Sequence, residues 1–195
     1  MRLRINKFYF YISFPSIALI SFMIISNYLT DYLLCLIAII IHESGHLVFM
    51  VLFKYYPIGI EIKAFNIKII ENIRYKAELY RELIIILSGP IFNLLFSLVF
   101  LNINSKLSLI NIYIGIFNLL PAATLDGGQF LYLVLQTRLR ADLSAKFIDV
   151  ITIIIALPLF FVGILVLFFS RYNFSLLFIA LYLILSLFLK EEKYF

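Results

Sequence analysis

The chain has 195 residues, 64% of them hydrophobic and only 14% charged, with a formal net charge of +5. An ordinary soluble domain is about 45–50% apolar, and a chain this short cannot hide so much apolar surface in one core. A soluble globular protein is therefore excluded, the natural solvent is lipid, and the single Cys35 rules out a disulfide framework.

A helix needs about 20 apolar residues to cross a bilayer. Six runs are candidates: Phe8–Tyr28, Tyr32–Phe53, Leu83–Leu101, Leu107–Leu120, Ile148–Phe169 and Phe174–Leu189. The first follows Arg2, Arg4 and Lys7 as a signal peptide would, but no small-x-small cleavage site follows it, so it reads as a retained span. Between the second and third runs, "IEIKAFNIKII" alternates apolar and polar residues with β-branched enrichment. That pattern predicts a strand pair or small sheet within Ile58–Tyr80, lying against the membrane face. The fourth run is short and ends at Asn118 and Pro121. The expected fold class is an all-α membrane protein of about six transmembrane helices with a small β segment near residues 58–77. It forms a single integral-membrane domain over 1–195.

Lys and Arg mark the cytoplasmic side of a membrane protein. In this six-span layout, only Lys106 and Arg171 fall on the opposite side from the other basic residues. Both termini are thus expected in the cytoplasm of a bacterial cell with a multi-pass chain between them. The positive charge is an orientation signal and implies no nucleic-acid partner.

The second run contains "IIIHESGHLV", residues 39–48, with the chain's only two histidines. Residues i and i+4 share one helix face, so His42 and His46 can point both imidazoles at one cation. Glu43 stands about 100° round the helix and can flank that ion without ligating it. This is the H-E-x-x-H arrangement of zinc proteases. An ionisable group in mid-membrane costs about 2.5–3.5 kcal/mol on insertion scales, and a metal gives three such groups a common reason.

Catalytic zinc takes three protein ligands and a water. Asp31 lies roughly 16 Å from His42 along the helix axis and cannot be the third ligand. Glu61, Glu71, Glu78 and Glu82 belong to the polar segment or its edge, and Asp142 and Asp149 sit among basic residues. Asp126 lies in "NLLPAATLDGGQF", where Pro121 ends regular helix and Gly127 and Gly128 let the backbone turn or approach closely. Irregular backbone at membrane depth is tolerated where it lines a cavity or is buried in protein, which makes Asp126 the choice. Asn93 and Asn118 share this polar setting. Either can bind a substrate peptide or an oxyanion, and either can equally be interhelical glue.

"HESGH" at 42–46, "SGPIFN" at 88–93 and "NLLPAATLDGG" at 118–128 together resemble the site-2 protease family of intramembrane zinc metalloproteases. The resemblance covers about residues 31–137. It implies one zinc held by His42, His46 and Asp126, with Glu43 as general base. It implies cleavage of a single-span or membrane-associated protein substrate near the cytoplasmic side of the lipid bilayer, and it leaves room for a membrane regulatory partner. The layout, without an inserted PDZ-like domain, is similar to the family's sporulation branch, which releases a sigma factor from a membrane-tethered precursor. Thr124 stands where the family usually has a second proline and Gln129 where an arginine is common, and the CBS domain usual in that branch is not seen. Two readings compete: a non-catalytic membrane metal-binding or scaffold protein, which has no need of Glu43, and a surface zinc protease with a glutamate ligand and a sizeable soluble domain.

Overall fold

A computed structural model of the chain describes residues 2–5, 8–12, 29–57, 59–63, 66–70, 78–170 and 174–188. It divides into two compact units, Met1–Ile116 and Phe117–Phe195.

The first unit opens with strands β1 (Arg2–Ile5) and β2 (Phe8–Ile12). Helix α1 (Leu29–Leu52) follows, then strands β3 (Gly59–Lys63) and β4 (Asn66–Ile70). The strands form one sheet in the order β1-β2-β3-β4. β1 and β2 are antiparallel, with Arg2 opposite Tyr11; β2 and β3 are parallel, with Tyr9 opposite Gly59; β3 and β4 are antiparallel, with Gly59 opposite Ile70. Aromatic and β-branched residues dominate "FYFYI" and "NIKII", and such residues suit a pleated surface. The run expected to be a first span from Phe8 therefore begins as a strand. The rest of that run, 13–28, lies outside the described residues.

Helix α2 (Leu79–Phe100) and helix α3 (Ser105–Asn118), up to Ile116, complete this unit's helical part. The Asn104 side chain accepts from the Leu107 N–H and caps α3. α1 and α2 run antiparallel with their backbones nearly touching, because a Cβ on Gly45 would stand 2.6 Å from the Ser88 carbonyl oxygen. Gly115 serves α3 in the same way, at 3.1 Å from the Pro90 carbonyl oxygen. The packing is inside out by the standard of a soluble protein. Asn93, Ser97, Ser108 and Asn111 are buried, whereas Ile40, Leu98, Val99 and Tyr113 are exposed. Lipid offers apolar side chains as good a home as the interior, so small and polar residues hold the helices together. The Ser108 hydroxyl donates to the Ser97 carbonyl across α3 and α2.

The second unit contains α4 (Asp126–Gln136), α5 (Ala141–Ser170) and α6 (Ser175–Phe188). Ala122, Leu125, Ala156 and Leu183 form one core cluster, and Ala123, Tyr132 and Ile148 another. Helix α4 was not expected, since Pro121 and two glycines read as broken backbone. The break is confined to 119–125, and the helix restarts at Asp126 itself.

Among the described residues, three helices are long and apolar enough to cross a membrane: α1, α2 and α5. Of the six expected spans, these three meet the length and composition of a crossing helix among the described residues. α3 has 14 residues, about 21 Å of helix, against a hydrocarbon layer of about 30 Å. α6 has 14 residues, the same length as α3.

Candidate metal centre

His42 and His46 lie on α1, with His42 buried and His46 half-buried. His42 Nδ1 is 2.7 Å from Asn93 Oδ1, and His46 Nδ1 is 2.8 Å from the Ile85 carbonyl oxygen. Both partners come from α2. A carbonyl oxygen can only accept, so His46 donates from Nδ1. The Asn93 amide nitrogen donates at 2.9 Å to the Ala38 carbonyl, which fixes the oxygen end of that side chain towards His42. His42 therefore also donates from Nδ1. In the neutral rings each Nε2 then carries a lone pair, and the two Nε2 atoms are 3.2 Å apart.

Two lone pairs at that separation repel, and a cation shared between them turns the repulsion into binding. Nitrogens about 2.05 Å from a tetrahedral zinc stand roughly 3.3 Å apart, close to the observed spacing. The rings meet edge to face, with centroids 4.9 Å apart. Room for them comes from Gly89 on α2, where a Cβ would fall 2.3 Å from His46 Nε2 and 3.0 Å from His42 Cε1. The next residue, Pro90, lies inside the same helix. Glu43 is half-buried beside His42.

Asp126 is the first residue of α4 in the second unit and is half-buried. The backbone before it is locked. Ala122 N–H donates to Leu120 O, Leu125 N–H to Ala122 O, and Gln129 N–H to Leu125 O. The Ala123 N–H donates to Thr152 Oγ1 on α5 at 2.9 Å, and that hydroxyl donates to Ile148 O at 2.8 Å. Gly127 and Gly128 are there for close approach, since their φ angles are not positive. A Cβ would stand 2.2 Å from the Leu119 oxygen at Gly127 and 1.9 Å from the Ala122 oxygen at Gly128.

Of the residues singled out in the sequence, the first unit brings His42, His46 and Asn93 together. Asn93 bonds within the protein, in the manner of the interhelical role left open for it. Asn118 is the half-buried last residue of α3. Sequence reasoning missed the Ile85 carbonyl, Asn111 and Thr152. A backbone acceptor leaves no sequence signal, but Asn111 is an amide inside an apolar run and was detectable as such.

Residues 100–162 match the sequence profile of peptidase family M50. The structure is similar to the site-2 protease from Methanocaldococcus jannaschii, with a TM-score of 0.71 and 23% identity, covering 100% of this chain and 99% of that one. No curated protein sequence matches. The fold is thus that of a site-2 protease.

Proposed function

We propose that the protein is a zinc-dependent intramembrane endopeptidase. The observation that carries the reading is the pair of histidines whose Nδ1 atoms are both spent as donors, leaving two Nε2 lone pairs 3.2 Å apart beside Glu43. Among the described residues, His42, His46 and Asp126 are the set of His, Cys, Asp and Glu side chains that could hold a metal ion. Two imidazoles and a carboxylate are a donor set of catalytic zinc, one ion per chain, with a fourth position left for water. Zinc, when bound, polarises that water and lowers its pKa towards about 7. Glu43 takes the proton from the attacking water and passes it to the leaving amine.

The substrate is a single-span or membrane-associated protein cut near the cytoplasmic side. A protease needs an extended peptide, because helical backbone shields its carbonyls. β4 is the end strand of the described sheet and packs against α1, so its open edge would receive such a peptide as an added strand. Proline scanning across Ile60–Ile69 tests this: the reading fails if cleavage is unchanged throughout while the fold survives. In its layout the chain resembles stage IV sporulation protein FB, and processing of a membrane-tethered sigma factor under a membrane regulatory partner is the role we assign, in a bacterial membrane with both termini cytoplasmic.

The deciding experiment compares wild type with Glu43→Gln in detergent, measuring bound zinc and cleavage of single-span substrates. The variant should keep zinc and lose proteolysis. Cleavage at the wild-type rate would remove Glu43 from the mechanism and favour a metal-binding or scaffold protein.

A further inference from the structure

Behind His42 runs a line of buried amides that ends on a different helix. Asn93 Nδ2 donates to Ala38 O at 2.9 Å and to Asn111 Oδ1 at 2.8 Å. Asn111 Nδ2 donates in turn to Leu107 O at 2.9 Å. Both asparagines are 0% exposed. Each amide group has two ends that cannot be exchanged here. Leu107 O accepts only, so Asn111 must turn its nitrogen to it and its oxygen to Asn93. Asn93 must then answer with nitrogen, and present its oxygen to His42. The direction of every hydrogen bond, from the α3 backbone to the imidazole, is set by carbonyls that can only accept.

We propose that Asn111, acting through Asn93, fixes the tautomer of His42, holding the proton on Nδ1 so that Nε2 is ready to take a metal. Both asparagines are positioning residues, and α3 is thereby a working part of the metal centre. The inference rests on the metalloprotease reading only for what Nε2 then binds; the tautomer itself belongs to the metal-free protein. Removing a group that orients a metal-binding histidine typically costs about 10–100-fold in metal affinity. His46 is the internal control, because the Ile85 carbonyl fixes it independently of either asparagine.

The test uses the full-length protein in detergent, labelled with ¹⁵N-histidine. The chain has only two histidines, so four ring nitrogens report. In zinc-free wild type both rings should show a protonated Nδ1 and a bare Nε2. Asn111→Leu should turn His42 into a tautomer mixture, leave His46 unchanged, and weaken Zn²⁺ binding by roughly 10–100-fold. Asn93→Asp keeps an acceptor against His42 Nδ1, so in that background Asn111→Leu should lose its effect on the His42 tautomer. An unmoved His42 tautomer in Asn111→Leu overturns the proposal. So does an equal loss in both backgrounds, which would make Asn111 a packing residue. Should Asn111→Leu not fold, Asn93→Asp against Asn93→Leu decides, since the same His42 tautomer in both overturns it. If wild type binds no zinc, the metalloprotease reading falls, while the zinc-free spectra still decide the relay.

Discussion

The two units support their functional residues in opposite ways. In the first, side chains do the holding: Asn93 and Asn111 align His42, and Ser88 Oγ donates at 2.6 Å to the same Ile85 carbonyl that receives His46. In the second, the peptide backbone does most of it: turns from Leu120 to Gln129, with Thr152 as a side-chain tie, bring the chain into α4 at Asp126. Polar side chains can be exchanged one at a time, with graded effects. A backbone turn packed at the contact limit tolerates almost nothing at the positions where it touches itself. The first unit should therefore show a range of phenotypes, and the second an abrupt one.

Asp126→Ala gives the largest expected effect. It should abolish cleavage and weaken zinc retention on dialysis, whereas Asp31→Ala and Asp142→Ala should do neither. Full zinc stoichiometry and activity in Asp126→Ala would place the third ligand elsewhere, with Asp149 next in line. Gly89→Ala follows, since its methyl group would occupy the space of His46 Nε2. Displacing a catalytic group by about 1 Å costs on the order of 100-fold in rate, so kcat/KM should fall by at least that, with zinc affinity falling too. Gly128→Ala separates the units. A Cβ 1.9 Å from the Ala122 oxygen must move the backbone before Asp126, and activity should drop by a similar factor. The ¹⁵N-histidine spectrum of the zinc-free protein should stay as in wild type; a changed spectrum would erase the division between the units. Smallest of the four, Thr152→Val keeps the shape and removes the hydroxyl that serves Ala123 N–H. It removes that acceptor from a buried N–H, at a cost of about 1–3 kcal/mol in unfolding free energy, with only a partial loss of rate. No change in thermal stability would mean that the turn does not depend on this tie.

What could be read from the amino-acid order follows the same division. His42, Glu43 and His46 stand out because charged and titratable groups in an apolar run demand an explanation. The glycines after Asp126 were visible as places where the backbone turns or approaches closely, and Gly128 turns out to be a place of close approach; Gly89 was not singled out. The N-terminal sheet was not legible. "FYFYI" suits a strand and a membrane helix alike, and its partner β3 lies 50 positions further on in register. Nor was α4 legible, since Pro121 and Gly127 mark a break without marking its end. Asn111 escaped because a lone amide in an apolar helix has many uses, and only its place opposite Asn93 selects one.

The distance in sequence between His42 and Asn93 sets an order of events during synthesis. α1 is complete long before its partner, which follows His42 by 51 residues. At about 5–20 residues per second the ribosome needs roughly 3–10 s to supply it. Through that interval the hydrogen bond that orients His42 cannot yet form, since α2 is still unmade. The buried contacts of the two histidines are therefore completed by chain made after α1, not by α1 itself.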